Sequence, residues 1–351
     1  MLASITHILP LTTVVRKRLL PVEGRVIAKL GQKVNPTDVV ADAVVGRKHL
    51  IVDVARQLRV SPRNVAAYLK IKKGQKVARE DVLAETTGLF AREVKAPADG
   101  RVVAMGGGKI VFETGGAPFE LAAGIPGTIT EIIPDRGVVI RATGAVIQGV
   151  WGNGRLETGV MVSVMERADE VFDVNRLDVN IRGSIILGGY VDNPAVLKSA
   201  IELAVRGLIL SSISPALLPL ASQATFPILI VDGFGPRPMN SIAYKLLSTN
   251  IKRDVALNAE IYDRLIGTRP EVFIPLPFSQ EPPEPRDVEA FASGQTVRVI
   301  SMTSPAQIGT LQQLRAIPVS LPNGLKARAA EVRLENGEQI IVPLTNLEVL
   351  G

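Results

Sequence analysis

Residues Lys73–Met105, KGQKVAREDVLAETTGLFAREVKAPADGRVVAM, decide how the first third of this chain is read. Gly74 permits a turn, and Val77, Val82 and Leu83 supply apolar strand positions. Pro97 and Gly100 then open a further hairpin. Two-stranded units this short cannot bury an apolar face alone, so the stretch needs a partner.

A partner is written into the same region. Residues 31–41, GQKVNPTDVVA, repeat residues 74–84, GQKVAREDVLA, with Gly-Gln-Lys-Val, Asp-Val and Ala at matching offsets. A second echo pairs PVEGRV at Pro21–Val26 with PADGRV at Pro97–Val102. Each half carries the two elements in opposite order. The expectation is two similar halves that face one another over a shared aliphatic core.

The run GQKVxxxDVLAE followed by VKAPADGRVVAM resembles the half-motifs of the biotinyl/lipoyl-like barrel-sandwich hybrid, in the form carried by the C subunit of Rnf-type electron-transport complexes. The likeness covers about residues 20–112 and implies the fold more than the chemistry. A carrier domain of that family shows a modifiable lysine at a hairpin tip. The corresponding turn here, Thr86–Phe90, has none, and Lys95 stands at a strand entry. No covalent biotin or lipoate is expected. With no Cys in the chain, no thiolate-held cluster and no disulfide is expected either.

Between the repeat halves lies LIVDVARQLRVSPRNVAAYL, residues 50–69, which suits two short helices, with Ser61 as a cap and Pro62 at the first helical position. Its register, Asp53-Val54-Ala55, Val60-Ser61-Pro62, Val65 and Leu69, resembles the helix-turn-helix of Lac-repressor-type regulators. That likeness implies that Arg63 and Asn64 begin a recognition helix able to meet a major groove. Arg59 stands where that family's turn has Gly. The other reading is a helical connector between the halves.

Beyond Gly115 the pattern stays β, with a hairpin at Gly127–Ile133, Pro134–Gly137 and Val138–Ile140. The sole Trp, Trp151, stands among Gly149, Gly152 and Gly154. No following helix with a Lys makes this a phosphate loop, so a glycine-rich turn over a core Trp is expected. From Asp178 to Phe278 the rhythm changes to strand–helix alternation, with Asn193-Pro194, Ser214-Pro215 and Asn240 opening helices. Short crossovers of this kind imply a parallel α/β sheet. Ligands of such sheets gather at the carboxyl ends of strands. That rule nominates Gly188, Gly189, Asp192, Ser211, Ser212, Asp232 and Gly233 as a rim, with Asp232 as an acid/base or metal-binding group.

Residues 275–286, PLPFSQEPPEPR, read as a stiff, solvated linker. The segment 294–351 returns to short strands, with an Asn336-Gly337 turn. It resembles the KOW-type small barrel of transcription-elongation and ribosomal proteins, whose loops touch RNA, ribosome or polymerase. On that likeness Arg298, Arg315, Lys326 and Arg328 are the candidate contacts.

Composition sets the remaining bounds. An apolar content of 46% with mean hydropathy +0.25 argues for folded protein, and aromatics at 4% argue against base-stacking platforms. Residues 1–115 hold 20 Lys and Arg against 10 Asp and Glu, whereas the remainder hold 20 against 24. A basic first third suits an acidic or nucleic-acid partner. The uncharged stretch 207–231 is cut by Pro215, Pro219 and Pro227, so no membrane span is expected. The basic cluster Arg16–Arg18 follows the first apolar run, the reverse of a secretory signal, and a cytoplasmic location is expected.

The expected architecture is multi-domain, α/β and all-β. It comprises a barrel-sandwich hybrid over 1–114 with helical insertion 50–69, a hairpin-rich extension over 115–177, an α/β domain over 178–278, a linker over 279–293 and a KOW-like small barrel over 294–351. The expected function is a non-enzymatic scaffold or adaptor for a protein or nucleoprotein partner, with nucleic acid a candidate and no cofactor. The alternatives are a ligand-binding protein or enzyme using the strand-end rim, and a DNA-binding regulator using residues 50–69.

Overall fold

The computed structural model describes residues 2–88, 91–263, 267–300, 307–321 and 324–351. Leu89 and Phe90, in the turn compared above with a carrier tip, lie outside the described residues. The chain is mostly β, arranged in several sheets with few helices.

The largest sheet is mixed. Strands Leu156–Ser163, Ile185–Val191, Gly207–Ile213 and Ile228–Phe234 run parallel, the last three in the region where strand–helix alternation predicted it and the first within the expected hairpin-rich extension. Local chemistry fixes the helices that cover them. Asn193 accepts a hydrogen bond from the Ala195 N–H and Pro194 starts helix Pro194–Glu202, while Asn240 caps Ser241–Ser248 through the Ala243 N–H. Apolar side chains fill both faces, Ile186, Leu208 and Ile230 on one and Ile185, Ile209 and Val231 on the other.

This sheet does not stop at the expected boundary near residue 178. Asp254–Asn258, Glu271–Pro275, Gly137–Gln148 and Gly127–Ile133 continue it in antiparallel order, and Ile8–Leu19 pairs along Gly137–Gln148. Residues 8–19, expected within the 1–114 unit, thus pair within this sheet, and Val14 shares a core with Val34 and Val40. Residues 2–6 leave that unit. Leu2–Thr6 runs parallel to Leu347–Leu350 and antiparallel to Val288–Ala290, inside the seven-stranded C-terminal sheet. Ala3 and Ile5 are buried there with Val297, Leu311, Val332 and Val349, and this apolar burial is what draws the strand across.

The proline-rich stretch is extended but docked. Arg141 holds Glu281 at 2.8 Å and Glu284 at 2.6 Å, and the Thr12 hydroxyl donates to the Pro283 carbonyl at 3.0 Å. Its acidic residues face a partner arginine as well as water.

The repeat is real, but its halves do not share a core. Val34 packs with Leu20, Val40, Leu121, Ile129 and Ile140, whereas Val77 packs with Leu83, Val94, Val102, Ile110 and Phe112. Two long strands separate the cores. Val39–Asp53 has 15 residues and Lys109–Ala122 has 14, and they pair antiparallel throughout. At about 3.3 Å per residue each spans roughly 45–50 Å, too far for one small core. Around Gly46, Arg47, Gly115 and Gly116 the ribbon is exposed. One β unit is therefore inserted into another, out along one strand and back along its neighbour.

The two units share a bonding pattern. Gln32 and Gln75 each accept through Oε1 from the N–H three residues earlier, at 2.9 and 3.0 Å. Asp38 and Asp81 each accept through Oδ2 at 2.7 Å from Asn35 and Ala78. Their carbonyls accept from the N–H groups of Ala123 and Ala96, both at 2.9 Å. Ala96–Val102 of the nested unit thus corresponds to Ala123–Ile129 of the outer one, a match hidden because Ala123 follows Asp38 by 85 positions whereas Ala96 follows Asp81 by 15.

Candidate functional site

The strand-end rim of the parallel sheet is filled by the chain itself. Ser211 and Ser212 are fully buried, and the Ser212 hydroxyl donates to the Arg237 carbonyl at 2.8 Å while accepting from the Arg237 N–H at 3.2 Å. Residues 170–172 lie across Gly188 and Gly189. A Cβ at Gly188 would sit 2.2 Å from the Phe172 ring, and one at Gly189 would sit 1.9 Å from the Glu170 carbonyl oxygen. These glycines admit a covering segment rather than a ligand. Asp192 is exposed one residue beyond its strand, and Gly233 has φ 117 beside Arg237. The structure does not gather these seven residues into an open pocket.

Asp232 has a different role from the one expected. Its carboxylate accepts from the Asn240 N–H at 2.8 Å, from Asn240 Nδ2 at 2.9 Å and from Arg298 Nη1 at 2.9 Å. The other edge of the Arg298 guanidinium meets Glu348 through Nε at 2.9 Å and Nη2 at 2.5 Å. Glu348 also accepts from the Thr6 hydroxyl and from Arg269 Nη1, the latter at 3.3 Å. Asp232 is 5% exposed and Arg298 is 2% exposed. A fork of donors between two carboxylates is the arrangement that arginine geometry favours. It joins the end of strand Ile228–Phe234 and the cap of helix Ser241–Ser248 to the C-terminal sheet.

The electrostatics agree with a structural clamp. Burial pushes the Asp232 carboxyl upward, against the pull of Arg298 and the Asn240 donors. Burial works in the same sense on Glu348, but Arg298, Thr6 and Arg269 outweigh it and hold that carboxyl below the usual range. Arg298 was expected among the nucleic-acid contacts; enclosed in this way, it offers no donor to an external phosphate.

The basic first third is partly neutralised by acids, two of them from far along the chain. Arg16 reaches Glu271 at 2.7 Å, Arg18 reaches Glu260 at 2.7 Å and Arg25 reaches Asp42 at 2.7 Å. The nested unit differs. Arg63 and Asn64 are exposed at the start of the segment Pro62–Tyr68, which is a 3-10 helix of seven residues and not the α-helix that a groove-reading motif requires. Arg59 takes up the left-handed conformation, φ 57, at the turn where the compared family has Gly. Arg56 and Lys109 are exposed as well. Neither was singled out from sequence, because neither belongs to a motif. Farther along the same unit, Arg47, Lys76 and Arg101 line a cleft of about 620 Å³ around Glu113.

In the C-terminal region Lys326 and Arg328 are exposed, and Arg315 is held by Glu331 at 2.7 Å. Among the described residues no three His, Cys, Asp or Glu side chains are grouped to hold a metal ion, and no helix is long and apolar enough to cross a membrane. No protein-family model matches this chain, and no curated protein matches it.

Proposed function

We propose that this chain is a non-enzymatic scaffold or adaptor that engages a polyanionic partner, a nucleic acid or a nucleoprotein assembly, through its nested β unit. In this reading the two copies of the repeat are barrel-sandwich hybrids, one inserted into the other, and the C-terminal sheet is a small barrel of KOW type. One observation carries it. Arg56, Arg63, Lys72, Lys73, Lys76 and Lys109 are exposed on the nested unit, and among the described residues no carboxylate lies within 4.0 Å of their charged groups. Several arginines elsewhere meet carboxylates, as at Arg16, Arg18, Arg141 and Arg298. Surface cations without a carboxylate partner attract polyanions and release counterions on binding. Scarce aromatics favour contact with the backbone over stacking on bases.

The test is retention of DNA and RNA, single-stranded and duplex, on a filter across a salt series. Six phosphate contacts predict a fall in affinity of about a thousandfold between 50 and 200 mM salt. Absence of retention at 50 mM salt for every nucleic acid refutes the reading.

A further inference from the structure

The nested unit ends in a hairpin, Met105-Gly106-Gly107-Gly108-Lys109, that joins strands Gly100–Gly106 and Lys109–Ala122. Gly107 and Gly108 have φ 56 and 77. Two successive left-handed residues define the tightest hairpin turn, and glycine is the residue that adopts them without strain. Gly106 and Gly107 face open space. Gly108 does not. Its carbonyl accepts from the Ala55 N–H at 2.9 Å, and a Cβ there would stand 2.7 Å from Ala55 Cβ and 3.0 Å from Pro62 Cα.

Three backbone points therefore meet at Gly108, and each is followed at once by an exposed cation. Arg56 follows Ala55, Arg63 follows Pro62, and Lys109 follows Gly108. Asp53 is the neighbouring acid. Its Oδ1 accepts from the Arg56 backbone N–H at 3.0 Å, and it pairs across the strands with Lys109 without an ion pair within 4.0 Å. The close approach at Gly108 sets the spacing of the three cations. Asn64 stands exposed beside Arg63.

We propose that this tip, made of the Gly107-Gly108 turn with Arg56, Arg63 and Lys109, is the contact that grips the phosphate backbone of a nucleic acid. The inference rests on the polyanion reading above and assigns its location. Three cations with long side chains around a turn free of bulky groups fit a sugar–phosphate chain, which is continuous and charged at every step. The tip carries no aromatic ring for stacking, so binding is insensitive to base sequence.

The experiment compares the full chain with Arg56→Ala/Arg63→Ala/Lys109→Ala, and with a control triple at exposed sites of the mixed-sheet region, Arg182→Ala/Lys198→Ala/Lys252→Ala. Binding of a labelled mixed-sequence duplex and of a single strand is read by anisotropy from 50 to 200 mM salt, with thermal unfolding as the check on folding. Each lost phosphate contact lowers the salt slope by about 1, so the tip triple should lower it by about 3 and weaken binding at least tenfold at 50 mM salt. Lys109→Gln, the mildest change, should lower the slope by about 1. The control triple should leave it unchanged. Wild-type binding with equal slopes for wild type and tip triple overturns the tip and leaves the polyanion reading standing. Equal losses from tip and control overturn it in favour of bulk charge. Equally tight, tip-dependent binding of poly-aspartate or of anionic vesicles overturns the nucleic-acid assignment. Absence of wild-type binding to any nucleic acid overturns both.

Discussion

Replacing Arg298 with alanine tests the clamp most severely. The guanidinium lies between Asp232 and Glu348, with side-chain exposures of 3% for Arg298, 1% for Asp232 and 13% for Glu348, so solvent screens little of the interaction. Arg298→Ala leaves Glu348 with Arg269 and Thr6, and leaves Asp232 with Asn240 alone. Removing one member of a buried pair typically costs about 3–5 kcal/mol, because the remaining charge stays desolvated. That is roughly a 10²- to 10⁴-fold shift in the unfolding equilibrium. Urea unfolding of the full chain at pH 7, followed by fluorescence and by protease cleavage after residue 290, reads the loss. The pH dependence gives a second check. Without Arg298, only the Asn240 donors oppose the rise that burial imposes on Asp232, so the folded variant binds a proton that the unfolded chain does not, and its deficit shrinks as pH falls from 7 toward 4. Asp232→Asn combined with Arg298→Met should recover part of the stability that Arg298→Ala loses. A loss below about 1 kcal/mol, the range of an exposed pair, would refute the clamp.

Two further tests address burial elsewhere. His7 is 1% exposed, its Nδ1 has no partner and its Nε2 lies 3.2 Å from the Arg286 carbonyl. Burial lowers its pKa, with Arg16 adding to the effect and Arg286, Asp287 and Glu271 opposing it. Its stabilising contribution is therefore complete above the unfolded value of about 6.5 and is lost as pH falls through the folded value. The urea midpoint should drop between pH 7.5 and 5.5, and a drop of equal size in His7→Gln would show that another group is responsible. Gly189→Ala should cost about 1–3 kcal/mol, because the new methyl meets the Glu170 carbonyl at 1.9 Å and lifts the covering segment. An unchanged melting temperature would show that the segment is not held there.

What could be read in advance was local. Asn193-Pro194 and Asn240 announce helices because a cap depends on residues one to three positions away. The hairpin at Asn336-Gly337 and the parallel strands around Ile186, Leu208 and Ile230 are legible for the same reason. The repeat at Gly31 and Gly74 was visible, but its arrangement was not. Pro21–Val26 looks more like Pro97–Val102 than Ala123–Ile129 does, although the hydrogen bonds of Asp38 and Asp81 pair the latter two. Matching short strands by letters favoured the nearer copy and produced one core where there are two. Asp232 carries all the sequence marks of a strand-end functional acid. Its partner, Arg298, stands 66 positions away, and nothing local distinguishes an arginine that faces solvent from one enclosed by Asp232 and Glu348. Of the tip cations Arg63 was already a candidate contact, but Arg56 and Lys109 were missed for the same reason. Arg56, Arg63 and Lys109 become neighbours only once Gly108 is packed against Ala55 and Pro62.

The pairing of Leu2–Thr6 with Leu347–Leu350 sets a timetable for biosynthesis. Leu2–Thr6 is translated some 340 residues before its parallel neighbour. At about 5–20 residues per second that delay is on the order of 20–70 s. Throughout it Ala3 and Ile5 lack the surface that will bury them, and the strand presents an unpaired edge, the feature that recruits other chains. The nested unit, by contrast, has all its partners within about 70 residues and can fold while synthesis continues. The C-terminal sheet thus closes after the nested unit, and the Arg298 clamp can form only after the strand supplying Glu348 is made.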